Sequence, residues 1–165
     1  MYHFTHKALL AAAAICFAFP AMADAAKVEV KSSGKYDAFL ADAEGRSLYL
    51  FKADTRGKDG KDAVSACYDK CAVAWPPLTT TGEPTGGDKV KSELLGTIER
   101  KDGTMQVTYG GWPLYYFVKD KAPGDTNGQD VEGFGEEWYL VAPGGKKVAE
   151  HGDDHGKDHG DDDKS

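Results

Sequence analysis

The sequence predicts an all-β fold, a compact sandwich or barrel-like domain built from two related β units, with one short helical turn. Three observations carry this expectation. Short runs of strand composition recur between turn residues. A ten-residue segment is repeated 66 positions further on. The single helix-like stretch, Ala63 to Ala74, is too short to set the fold class. Residues 27–148, 122 in number, are enough for one domain with its own core.

The first unit reads as a hairpin, Tyr36 to Ala41 and Ser47 to Lys52, joined by the turn Asp42-Ala43-Glu44-Gly45. The second reads as a meander. Leu94 to Arg100 turns through Lys101-Asp102-Gly103 into Thr104 to Tyr109, and a Gly110-Gly111 break leads to Pro113 to Val118. A last strand, Glu137 to Ala142, is closed by Pro143-Gly144-Gly145. Thr79 to Lys91 and Lys119 to Gly135, rich in Gly, Asp, Pro and Thr, read as loops.

The repeat overlays Gly45 to Asp54 on Gly111 to Asp120 with five of ten positions identical. A weaker echo comes after each copy, Trp75 to Leu78 after the first and Trp138 to Leu140 after the second. Two copies imply a pseudo-symmetric pair sharing one core, because one unit alone leaves an apolar face uncovered.

At these residues the chain resembles a family of secreted bacterial proteins and lipoproteins marked by a Tyr-x-(Phe/Trp/Tyr)-x-x-Asp motif. The motif stands here as Tyr49, Phe51 and Asp54 and again as Tyr115, Phe117 and Asp120. The likeness runs from Tyr36 to Pro143 and takes in Cys67 to Pro77, Leu94-Leu95-Gly96 and Pro123 to Gly128. The family's biochemical role is unassigned, so the resemblance implies export and fold and supplies no substrate.

On a strand Tyr49 and Phe51 share one face while Leu48 and Leu50 share the other, and the second copy repeats this. Both faces are apolar, which predicts a strand packed on both sides, its phenols hydrogen-bonded and its aspartates capping the following turn. The sharper alternative pairs each phenol with its own carboxylate to hold a ligand or cation. No catalytic constellation accompanies the motif, and no enzymatic activity is expected. Asp120, Asp125, Asn127 and Asp130 offer oxygen ligands of the kind calcium accepts, but their spacing fails the EF-hand pattern and reads as an ordinary turn-rich loop.

The N-terminus has the order of a secretory signal: Lys7, the apolar run Ala8 to Pro20, then Ala21-Met22-Ala23, with cleavage expected near Ala23. About 13 apolar residues fall short of the roughly 20 that span a bilayer, so no transmembrane anchor is expected. Cys16 lies inside the apolar run behind Ile15, where a lipoprotein signal places a small residue, which predicts a soluble rather than lipidated protein. The chain thus divides into a signal peptide, 1–23, a β-rich repeat domain, 24–148, and a disordered acidic tail, 149–165.

Cleavage leaves Cys67 and Cys71 as the mature chain's cysteines, and an oxidising compartment favours their pairing. Residues four apart on a helical turn have α-carbons about 6 Å apart, within disulfide reach. Three intervening residues rather than two favour a structural over a redox role.

The chain carries a formal charge of −7, and Glu150 to Ser165 alone contributes −5 from seven acids and two lysines. Such a balance excludes nucleic acid as a partner. His151, His155 and His159 recur at intervals of four, interleaved with Asp153, Asp154 and Asp158. The tail reads first as a solvated acidic segment, since Gly152, Gly156 and Gly160 oppose a helix. Its imidazoles and carboxylates also have the chemistry to gather Zn, Ni or Cu. The leading expectation is therefore an exported periplasmic, non-enzymatic binding or interaction module with weak divalent-metal capture by the tail. The alternatives are a redox or electron-transfer protein using Cys67, Cys71 and the aromatic repeat, and a structural cell-envelope protein.

Overall fold

The computed structural model describes residues 25–149. Its strands form three small sheets. β1 (Lys27–Lys31) lies between β2 (Phe39–Asp42), antiparallel to it, and β5 (Thr85–Gly86), parallel to it. β10 (Glu136–Leu140) lies between β3 (Tyr49–Phe51) and β9 (Val131–Gly133). β7 (Met105–Tyr109) lies between β4 (Thr79–Thr80) and β6 (Leu95–Glu99) and also pairs with β8 (Trp112–Pro113). A single α-helical turn, α1 (Lys70–Ala74), and a 3-10 turn at Ser92–Leu94 complete the described elements. The fold is all-β, and none of the three sheets closes into a barrel.

The sheets are joined by two equivalent rings of backbone hydrogen bonds. In the first, Leu48 N–H donates to Leu40 O at 2.9 Å, Leu40 N–H to Val141 O at 2.8 Å, and Val141 N–H to Leu48 O at 3.3 Å. In the second, Leu114 N–H donates to Val107 O at 3.0 Å, Val107 N–H to Leu78 O at 2.9 Å, and Leu78 N–H to Leu114 O at 2.9 Å. Leu48 and Leu114 are equivalent residues of the repeat, so the rings are related by it. Each ring is completed by a segment downstream of the other motif: Val141 comes after the second copy and closes the first ring, while Leu78 comes after the first and closes the second. The two halves have exchanged strands, and neither can complete its core alone.

On the pseudo-twofold axis Tyr49 and Tyr115 exchange two backbone hydrogen bonds, 2.9 and 3.0 Å long. Strand alternation then sorts the side chains into two cores. Tyr49, Phe51, Tyr115 and Phe117 enter an aromatic core with Trp75, Trp138 and both cysteines. Leu48, Leu50 and Leu114 enter an aliphatic core with Leu40, Val107 and Val141. Packing on both faces, expected from the motif, is what the structure has.

Several elements differ from the sequence expectation. The Tyr36–Lys52 hairpin turns where expected, with Asp42 Oδ1 accepting the N–H groups of Glu44 and Arg46. Its arms then diverge after the Ala41–Ser47 bridge, because β1 and β10 compete for them. Pro113 to Val118 is no continuous strand. Its ladder with β7 ends at Pro113, and Tyr115 instead bridges Tyr49 and Pro77 from two other segments. The expected helix over Ala63 to Ala74 shrinks to α1, since Val64 pairs with Thr55 in both directions and Asp69 has φ 50°. The two expected loops contain β4, β5 and β9, two- and three-residue strands that exist through their partners. β1, with alternating Lys-Val-Glu-Val-Lys, joins the sheet as well.

Candidate functional site

The motif residues meet across the repeat. The Tyr49 hydroxyl donates to Asp120 Oδ2 at 2.6 Å, and the Tyr115 hydroxyl donates to Asp54 Oδ2 at 2.9 Å. Each phenol thus serves the aspartate of the other copy, not its own. Each aspartate turns its second oxygen to a backbone N–H of its own half, Ala66 for Asp54 at 2.8 Å and Asn127 for Asp120 at 2.9 Å. The carboxylates also stand at the ends of equivalent turns, in which Asp54 N–H bonds to Phe51 O and Asp120 N–H to Phe117 O.

Between the braces runs a stack of four rings. Trp75 and Trp138 lie parallel, centroids 4.0 Å apart at 3°. Phe51 covers Trp138 and Phe117 covers Trp75, each at 4.0 Å. Tyr49 meets Trp75 edge-on and Tyr115 meets Trp138 edge-on. The exchange of partners therefore holds for rings as well, because Trp75 comes after the first motif yet stacks on the second motif's Phe117. A Cβ on Gly128 would stand 2.7 Å from the Tyr49 ring and 2.9 Å from Trp75, so only glycine lets this backbone close over the stack.

The two braces differ in surroundings. Asp54 is 6% exposed, and burial raises its carboxyl to about 7, against the lowering effects of the Ala66 N–H, the Tyr115 hydroxyl and Arg100. Arg100, itself buried, gives Nη1 to Ser65 Oγ at 3.0 Å and Gln106 Oε1 at 2.6 Å, and Nη2 to Cys67 O at 2.7 Å. Ser65 Oγ lies 2.7 Å from the Tyr115 hydroxyl and closes the network. Asp120, half-buried, instead holds Asn127 through both N–H and Nδ2. Burial first, then the aspartate partner, lifts both phenols above the ordinary tyrosine range.

Cys67 and Cys71 form a disulfide with α-carbons 5.2 Å apart, clipping the segment that enters α1, and both are buried in the aromatic core. In the Asp120–Asp130 loop, Asp125 accepts the N–H groups of Lys121 and Ala122, which hold it below the usual carboxylate range, as suits a turn. Among the described residues no group of three or more His, Cys, Asp or Glu could hold a metal ion. His151, His155, His159, Asp153, Asp154 and Asp158 lie outside the described residues, as does the 1–23 segment.

Sequence reasoning missed a third phenol–carboxylate cluster and the Arg100 network. Tyr116 donates to Asp42 Oδ2 at 2.9 Å, and Arg46 both binds that oxygen and stacks 4.2 Å over the Tyr116 ring. The Arg46 pairing has a local signal, since it reaches a turn residue four positions earlier. Arg100 has none for Ser65 and Cys67, which lie 35 and 33 positions earlier, although Gln106 stands six positions on, across the β6–β7 turn.

Two surface grooves flank the braces at repeat-equivalent places. One, of about 210 Å³, includes Arg46, Pro76, Tyr116, Phe117 and Val118. The other, of about 220 Å³, includes Leu50, Lys52, Arg56, Trp112, Lys146 and Lys147. The overlay equates Arg46 with Trp112, Tyr116 with Leu50, and Val118 with Lys52; the first groove also takes in Ser47 and Asp120, while the second carries four cations and no carboxylate.

These features define a duplicated, strand-exchanged β domain whose repeated motif ties the copies together. A family model described as a secreted repeat of unknown function matches residues 32–79 and 96–142, and the chain belongs to that family. The matched segments end at Thr79, in β4, and at Ala142, two residues past the end of β10. No curated protein and no solved structure matches the chain. No helix among the described residues is long and apolar enough to cross a membrane.

Proposed function

We propose that this secreted repeat protein is a non-enzymatic binding module of the periplasm, freed by cleavage near Ala23, with divalent-metal capture by its tail as an associated activity. One observation carries the domain part of this reading. Both motif phenols and both motif carboxylates are bound to one another across the repeat, and Asp120, which lines the first groove, is held there by the Tyr49 hydroxyl and Asn127. Burial of the Cys67–Cys71 disulfide favours a structural clip over thiol exchange, which needs an accessible sulfur. Recognition then falls to the surface grooves and the tail.

The tail part rests on His151, His155 and His159 with their interleaved aspartates, in a chain whose residues 25–149 contain no histidine. Imidazole and carboxylate suit Zn²⁺, Ni²⁺ and Cu²⁺, and ordering a glycine-rich segment lowers the affinity. Calorimetric titration of the mature chain with each metal tests it. Micromolar or weaker binding that disappears in the His151→Ala/His155→Ala/His159→Ala variant is expected, and equal binding by both chains, or none, overturns it.

A further inference from the structure

We infer that the cationic groove around Trp112 is a binding site for an acidic sugar, a ring bearing carboxylate or phosphate within an anionic glycan. Four cations, Lys52, Arg56, Lys146 and Lys147, line it together with the indole and Leu50. None of the four forms an ion pair with a described carboxylate, although residues 25–149 hold 19 acids against 17 bases.

The site is built in advance. Arg56 Nε donates to Gly110 O at 2.8 Å and Nη2 to Gly145 O at 3.3 Å, fixing the guanidinium 5.6 Å from the indole while leaving further N–H groups for a ligand. Lys147 Nζ lies 4.1 Å from the Tyr139 ring. Gly57 N–H bonds to Gly111 O, and a Cβ on Gly111 would run into Gly57 O, so the two segments carrying Arg56 and Trp112 are held in contact.

The chemistry selects the ligand. Four lining cations without an ion pair among the described residues favour an anion, and a half-buried indole beside a leucine offers a flat apolar wall against which the C–H face of a sugar ring can lie. A shallow groove of about 220 Å³ is of a size to hold one ring. The equivalent groove lacks this capacity, because Val118 replaces Lys52 and Arg46 is already neutralised by Asp42.

The inference gives a ligand class to the domain part of the binding reading. The metal titration reports on the tail and the glycan titration on the groove, so each can fail alone. Mature full-length protein is titrated with tri-galacturonate, a neutral trisaccharide, poly-glutamate and phosphatidylglycerol vesicles, by calorimetry and tryptophan fluorescence. Trp75 and Trp138 are buried, so Trp112 is the responsive fluorophore. Expected are tri-galacturonate binding that weakens as salt rises, no binding of the neutral sugar, and at least a tenfold loss in Lys52→Glu/Lys146→Glu with an unchanged unfolding midpoint. Trp112→Ala should reduce tri-galacturonate affinity to that for poly-glutamate. Absence of binding overturns the inference, as does binding indifferent to the charge reversal. Equal affinity of the wild type for poly-glutamate, or capture by vesicles in place of the sugar acid, also overturns it.

Discussion

The two tyrosine–aspartate braces use the same motif and the same crossed geometry, yet Tyr115–Asp54 is sunk in a polar network with a buried arginine while Tyr49–Asp120 opens on a loop. The difference lies in the segment downstream of each motif. After Asp54 the chain supplies Ser65 and the Cys67–Cys71 clip, and Arg100 reaches in from the second half. After Asp120 it supplies Asn127 and Gly128, whose N–H donates to the Tyr49 hydroxyl at 3.2 Å. Duplication reproduced the backbone frame, and divergence of the intervening loops made one brace a sealed strut and the other a half-open one. Substitutions inside the repeat itself, Arg46 against Trp112, Leu50 against Tyr116 and Lys52 against Val118, gave the paired grooves different linings.

The sharpest way to break the comparison is to remove the buried carboxylate. Asp54→Ala leaves the Ala66 N–H without its acceptor and the Tyr115 hydroxyl with Ser65 alone, and is expected to cost about 3 kcal/mol in urea unfolding. A loss no greater than that of Asp120→Ala would show that the two braces are energetically alike. Next comes the clip on the Asp54 side alone. Cys67→Ser/Cys71→Ser should lower stability by about 2 kcal/mol, the entropy of so short a loop, and should perturb the Arg100 network more than the Tyr49–Asp120 brace in amide exchange.

A pH series separates the braces differently. The folded carboxyl of Asp54, at about 7, lies above its unfolded value, so the native state binds the extra proton between about 4 and 7. This contribution is complete below the unfolded pKa and is lost as pH rises through the folded one. Stability should therefore fall across that window by at most about 1.4 kcal/mol per pH unit, and Asp54→Asn should remove that part of the slope. The smallest expected effect is that of Asp120→Ala, about 1 kcal/mol, since solvent can replace the lost carboxylate at Asn127 and the Tyr49 hydroxyl. Its signature is loosening of the Asp120–Asp130 loop, read by amide exchange, with the core unchanged.

Much of this architecture was legible in the chain. The 66-residue repeat announced two related units, the alternation of Tyr49 and Phe51 against Leu48 and Leu50 announced two apolar faces, and β6 and β7 stand where periodicity put them, with the turn between. The expected pairing of Cys67 with Cys71 is present. The short strands β4, β5 and β9 have the composition of loops, because two or three residues carry no period and a partner strand alone makes them strands.

Tyr49 and Asp54 are five residues apart, and that interval suggests a local pair as readily as a distant one. Local sequence determined which residues are aromatic, which face each takes on a strand, where the chain turns and which sulfurs can meet, because these depend on neighbours within a few positions. Tertiary structure alone decided that each tyrosine serves the other copy's aspartate, that each exchanged strand completes the other ring, and that Arg100 is buried beside Asp54. Those contacts join residues dozens of positions apart, and they form because two incomplete apolar units can each cover their open face only with the other's strand.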